Sequence, residues 1–266
     1  MVDRATGKAV QVSNAGGGSP FVLACDHASN RIPQHYGDLG LSATERLSHI
    51  AWDPGALAVS MRLSDLLDAP LVFSTISRLI IDPNRVPTSD KAIWTLSETT
   101  RIAANEGIDK DERQRRIDTY HRPFHDAVTN VLDERQARGA EAVFVCIHSF
   151  TPNYLGLPRP WQIGVINGQD PRFAETLRNS LAAQLPSVEI GWNKPYSAMS
   201  GVTYTMEHHG DERGLPTAMI EIRNNEILIP EGIELWAQRL AKALAAARQA
   251  IQSPMHQEAA GAPNHR

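Results

Sequence analysis

Cysteine is scarce in this chain: 266 residues hold two, Cys25 and Cys146. That count excludes a disulfide scaffold, and no signature of a catalytic thiol surrounds either residue, so both read as buried reduced thiols. Long apolar runs are lacking too. No stretch approaches the roughly 20 residues that span a bilayer, and the segment Met1–Lys8 has no apolar core of the kind a secretory signal needs. The expectation is a cytoplasmic protein with no membrane partner. Charge of one sign is not concentrated anywhere: the formal net charge is -4 and the pI about 6.2. The absence of a basic run argues against a nucleic-acid partner. The glycine triplet Gly16–Gly18 lacks the Gly-Lys-Ser/Thr ending of a phosphate loop. There is no internal repeat and no composition shift that marks a linker. A 266-residue chain of this kind reads as one domain with a full core. That domain is expected over 20–252, between flexible termini at 1–19 and 253–266.

What the chain does have is four short polar islands set in apolar sequence. They are Cys25-Asp26-His27-Ala28-Ser29-Asn30, Asp82-Pro83-Asn84-Arg85, Ile147-His148-Ser149-Phe150 and Ile220-Glu221-Ile222-Arg223-Asn224. The runs Phe21–Ala24, Leu79–Ile81, Val143–Ile147 and Ala218–Ile222 read as buried strands. Helical spacing predicts helices over 56–67, over 111–138 with Pro123 as a kink or a restart, over 170–185 and over 229–251. Ser42-Ala43-Thr44-Glu45 is a capping-box pattern. Residues 86–110 are irregular and look like an insertion or lid. Together these imply an α/β protein: a single domain with a mixed, mostly parallel sheet and helices on both faces. In such a sheet, groups at the carboxyl ends of strands converge on one crevice.

Two histidines at strand ends, His27 and His148, are the leading metal ligands, because a catalytic zinc takes three protein ligands and keeps one position open. Asp53 fits the third ligand; it fits equally a helix cap beside Pro54. Asp26 reads as a ligand or as the group that orients His27. Asn30 reads as a metal or substrate contact or as an ordinary turn residue. Arg85 suits a carboxylate clamp, with Asn84 as a second donor and Asp82 holding the guanidinium. Glu221, inside an apolar strand, should hold its proton more tightly than usual and so suits a general base. Its structural alternative is an ion pair with Arg223 two residues along the strand.

The order His27, Asn84-Arg85, His148-Ser149, Glu221 resembles the zinc carboxypeptidase and aspartoacylase superfamily. Its His-x-x-Glu loop carries a glutamate ligand where this chain has Asn30, and Asp53 is the substitute. More closely, the chain is similar to the N-formylglutamate amidohydrolase family. The resemblance rests on Asp26–Asn30, His49–Asp53, Ser77–Arg85, Pro123–Ala127, His148–Pro152, Pro195–Ser197, His209-Gly210, Gly214–Pro216 and Ile220–Asn224. It implies a zinc-carboxypeptidase-like fold and metal-dependent hydrolysis of the N-formyl or N-acyl amide of a small acidic amino acid, with zinc the expected ion. It also implies Glu221 as base and Asn84, Arg85, Arg78, His125 and His209 as substrate contacts. A peptidase on small or cell-wall peptides and a non-catalytic ligand-binding homologue are the competing expectations.

Overall fold

The computed structural model describes residues 7–196 and 201–252; the expected flexible segment 253–266 lies outside the described residues. In chain order the elements are Val10–Ser13 (β1), Phe21–Cys25 (β2), Ala43–Leu47 (α1), Ala56–Leu67 (α2), Leu71–Ser74 (β3), Leu96–Ser97 (β4) and Thr100–Arg101 (β5). Then come Lys110–Arg116 (α3), Arg122–Ala137 (α4), Val143–Phe150 (β6), Asn153–Tyr154 (β7), Leu157–Pro158 (β8), Ile163–Asn167 (β9) and Arg172–Gln184 (α5). Ile190–Trp192 (β10), Tyr204–His209 (α6), Thr217–Arg223 (β11) and Pro230–Gln252 (α7) complete the chain.

The apolar runs are strands because both their faces are covered. They form a seven-stranded sheet in the order β1-β3-β2-β6-β11-β9-β10. The centre, β3 to β11, is parallel; β1 pairs antiparallel with β3 and β9 antiparallel with β11, while β9 and β10 are parallel. One face packs on α2, α5 and α7 through Val59, Leu63, Leu177, Leu181, Trp236 and Leu240. The other packs on α4 and α6 through Phe124, Val128, Leu132 and Met206. Each such side chain contributes roughly 1.5–3 kcal/mol of burial. The architecture is the expected one, with helices on both faces of a mostly parallel sheet. Among the described residues no helix is long and apolar enough to cross a membrane.

Local expectations mostly hold. Ser42 and Glu45 form the reciprocal capping box that starts α1. The helical stretch before Gly139 is interrupted by a π-helical turn at Ile117–His121, and α4 restarts with Pro123 in its first turn. Two expectations fail. The run Leu79–Ile81 is not a strand. It folds as a turn, with Ile80 N donating to Ser77 O, and buries in a separate cluster with Leu39, Leu41, Ala92, Ile93 and Ile102. The arm before Pro20, expected to be loose, supplies β1, whose Val10–Ser13 pair with Leu71–Ser74 and cover that edge of the sheet.

Candidate active site

The carboxyl ends of β2, β6 and β11 lie side by side and deliver the polar islands to one place. Asp26 and His27 follow β2 directly. His148 lies within β6, which runs on to Phe150, and Glu221 of β11 is its register partner. Asp53 arrives from the turn before α2, its backbone N–H donating to His27 O at 2.9 Å. Two glycines make these approaches possible. Gly55, at φ +83, starts α2 so close to the chain that a Cβ would stand 2.4 Å from Ile227 O. Gly164 faces Glu221 across the sheet, and a Cβ there would meet Lys194 O at 1.8 Å. That close passage brings Tyr196 to the site.

His27 Nδ1 and His148 Nδ1 both point at Asp53 Oδ2, at 3.3 and 3.0 Å, and the two rings meet edge to face with centroids 4.9 Å apart. Their far nitrogens are engaged elsewhere. His27 Nε2 lies 2.7 Å from Asp82 Oδ1, and His148 Nε2 lies 2.9 Å from Asp26 Oδ2, close enough for an ion pair although off the line of a hydrogen bond. Asp82 also takes Arg78 Nη2 at 3.0 Å and its own neighbour Asn84 N at 2.9 Å. Asp26 therefore orients His148, not His27 as expected, and the group behind His27 is Asp82. Each imidazole is backed by a buried carboxylate, the arrangement that fixes tautomer and ring direction in metal sites.

The electrostatics follow. Burial opposes the Asp53 carboxylate, but the imidazoles of His27 and His148 overcome it and hold its pKa far below the usual range. Burial also opposes Asp82, and Arg78 and His27 outweigh it in the same direction. Conversely, burial presses both imidazoles toward neutrality, and the flanking aspartates raise them, His148 strongly. Glu221 behaves differently. Its carboxyl is pushed up to about 7, first by burial and then against the pull of His148, His27 and Arg78. The ion pair with Arg223 does not form: Arg223 turns away to Glu226 at 2.9 Å and to the backbone of Arg159 and Pro160. Glu221 Oε2 is buried with no hydrogen-bond partner.

A cavity of about 120 Å³ opens over these groups. It is lined by His27, Asp53, His148 and Glu221, by Arg78, Asn84 and Arg85, and by Phe150, Thr151, Tyr154 and Tyr196. Segment 86–110 supplies Trp94, Ser97 and Glu98 to the wall; Glu98 stands at φ +52 in the β4–β5 turn and pairs with His49 at 2.7 Å. His49, Glu98, Tyr154 and Tyr196 were not among the expected site residues. A histidine paired with a glutamate 49 positions away leaves no local pattern to read.

Of the expected substrate contacts, Arg78 and Arg85 line the cavity, with Arg85 stacked beside Trp94 at 5.2 Å and donating to Gly201 O at 2.8 Å. Asn84 also lines it, but its side chain is largely spent on backbone: Nδ2–H donates to Val202 O at 2.6 Å and Oδ1 accepts from Thr205 N at 3.0 Å. His125 and His209 are not in the cavity wall. They lie buried behind the Asp82–Arg85 loop, bonded to each other at 2.9 Å, so the expectation of substrate contact fails for both. Asn30 is a turn residue whose amide donates to Arg46 O. The two cysteines are buried, with thiols raised by burial, and are inert.

Could the cluster hold a metal? Donor atoms of His27, Asp53 and His148 all lie within 4.8 Å of one another. Two imidazole nitrogens with their opposite nitrogens tied to carboxylates, plus one carboxylate, are a donor set suited to a divalent ion such as zinc. Glu221, with one unpartnered oxygen, lines the same cavity. The residues present fit the ion.

Known proteins resemble this chain over most of its length. The sequence pattern of the N-formylglutamate amidohydrolase family matches residues 19–228. A crystal structure of a gene product from Agrobacterium tumefaciens superposes with a TM-score of 0.90 at 42% identity, covering 93% of this chain and 97% of that one. The crystal structure of an N-formylglutamate amidohydrolase from Ralstonia eutropha JMP134 superposes with a TM-score of 0.67 at 20% identity, over 91% of this chain and 97% of that one, and shares the fold. No curated protein matches the chain.

Proposed function

Because the chain belongs to the N-formylglutamate amidohydrolase family, we propose that it cleaves the N-formyl or N-acyl amide of a small acidic amino acid, N-formylglutamate first among them. It is a hydrolase acting on a linear amide C–N bond. The observation that carries the finer reading is Glu221: a carboxyl pushed up to about 7, without a partner for one oxygen, beside a His-Asp-His donor set.

His27, Asp53 and His148 would hold a divalent metal, with zinc favoured by the nitrogen donors. Such an ion, when bound, supplies Lewis-acid polarisation of the amide carbonyl and makes water easier to deprotonate. The protein's own groups do the rest. Glu221 takes a proton from the attacking water as its oxygen adds to the carbonyl carbon. It then returns that proton to the amine nitrogen as the C–N bond breaks, leaving formate and the free amino acid. Asp82 and Asp26 keep the two imidazoles aimed. Arg85 offers a planar guanidinium fork to a substrate carboxylate, assisted by the second Asn84 amide N–H.

The test is a deformylation assay on metal-loaded protein with N-formylglutamate and the N-formyl and N-acetyl derivatives of aspartate and glutamine. Turnover concentrated on the acidic members is expected. Arg85→Ala should raise KM for the acidic substrate far more than for its neutral ester. No turnover on any member with metal present would remove the reading.

A further inference from the structure

The loop that carries Arg78, Asp82, Asn84 and Arg85 has no regular secondary structure, so its carbonyls need donors from elsewhere. Four of them find buried side chains from one downstream stretch. Asn105 donates to Leu79 O at 2.8 Å and Arg116 to Ile80 O at 2.9 Å. His125 Nε2 meets Pro83 O at 3.0 Å, and His121 Nε2 meets Arg85 O at 2.9 Å. The last two bonds flank Asn84 directly.

We infer that the His125–His209 pair is a positioning device that sets the Asn84–Arg85 clamp for the substrate carboxylate. The inference rests on the hydrolytic reading above. A carbonyl only accepts, so His125 Nε2 must carry the proton. Burial keeps this imidazole neutral, so Nδ1 is left as an acceptor. The donor facing it is His209 Nε2 at 2.9 Å, in a ring only 16° from coplanar with centroids 5.1 Å apart. Those values describe two rings side by side in one plane, joined edge to edge by N–H···N. His209 closes α6, and Asn84 is gripped at the other end of that helix by Thr205 N and, in the loop just before it, by Val202 O. The contacts therefore form a ring: Asn84 to α6, α6 through His209 to His125, and His125 back to Pro83, the residue before Asn84. With both ends of α6 tied to it, the clamp has one position. Neither histidine reaches the cavity, so both act through Asn84 and Arg85 and not on substrate.

The experiment compares N-formylglutamate with its two monoamides, in each of which one carboxylate is neutral. The monoamide that is insensitive to Arg85→Ala marks the carboxylate held by the clamp. His209→Leu should raise KM about tenfold, the scale of one lost hydrogen bond, for the substrates that keep that carboxylate. It should leave the marked monoamide within about twofold, with kcat little changed on all three. His209→Gln, whose amide N–H can replace the imidazole donor, should restore the wild-type pattern. If His209→Leu fails to fold, His125→Gln is the second variant: it keeps a donor for Pro83 O, breaks the link to His209, and should shift the same KM ratio by less. Equal KM changes on all three substrates, a kcat loss with KM unchanged, or no rescue by glutamine would overturn the inference. Wild-type protein that hydrolyses none of the three would instead sink the hydrolytic reading, and the clamp with it.

Discussion

Replacing Glu221 by glutamine should move activity and stability in opposite directions, and the size of each change can be worked out. The wild-type carboxyl is pushed from 4.5 up to about 7, chiefly by burial. A carboxyl raised in the fold binds its proton more tightly there than in the unfolded chain. Stability is then full below the unfolded value and is lost as pH rises toward the folded one. Across this interval the loss is on the order of 3 kcal/mol, at about 1.4 kcal/mol per pKa unit. Glutamine never ionises, so near pH 8 it should regain most of that amount, less about 1 kcal/mol for an amide that finds imperfect partners. At about pH 4.5 the two proteins should be nearly equal. Turnover should fall by about 10²- to 10⁴-fold, because glutamine keeps the volume and cannot accept a proton. Urea unfolding of chelator-treated wild type and Glu221→Gln at both pH values, and deformylation rates on metal-loaded samples of the same preparations, measure both sides. A variant that is less stable near pH 8 yet turns over normally would show that Glu221 is structural and refute the assignment.

Two further outcomes test the surroundings of the site. Asp82→Asn should weaken divalent-metal binding about 10- to 100-fold and misdirect His27, because it removes the carboxylate behind that imidazole; unchanged affinity in a metal titration would deny Asp82 that role. The second concerns acid. Burial, with His208 and Arg213 adding to it, pushes His209 down to about 3. As pH falls, the unfolded chain takes this proton first, so stability is constant above about 6.5 and declines from there toward about 3. By pH 4.5 the loss is on the order of 3 kcal/mol, and His209→Gln should lack it. Equal acid sensitivity of wild type and variant in urea titrations would contradict the neutral imidazole.

What could be read in the sequence, and what could not, divides along a physical line. The central strands were legible because their burial on both faces writes unbroken β-branched runs into the chain. The capping box was legible because its partners are three residues apart. His27, His148 and Glu221 were legible as candidates because strands of such a sheet carry their groups to one end, and Asp53 because the superfamily's acidic ligand position holds Asn30 here. Leu79–Ile81 was not, since a three-residue apolar run reads the same whether it pairs in a sheet or turns into a satellite core. β1 escaped because half-buried Val10–Ser13 is an edge strand with a weak pattern.

The larger miss has one cause. Which group stands behind which is a long-range fact: Asp82 is 55 positions from His27, and His209 is 84 from His125. Residue type reported that these histidines matter; only the fold separates those that meet the cavity from those that brace it. The two roles leave opposite electrostatic marks. Imidazoles facing the donor cluster are raised by the carboxylates around them against the effect of burial, whereas those behind the Asp82–Arg85 loop are lowered by burial and by one another, against the opposing pull of the carbonyls they meet. A neutral imidazole that offers one nitrogen lone pair to a metal is aimed by an acidic neighbour at its far nitrogen. A histidine that holds a loop needs to stay neutral, because a second proton would leave it a charged donor facing another donor. The same side chain thus sits in two different settings according to whether a carboxylate or a carbonyl stands at its Nε2.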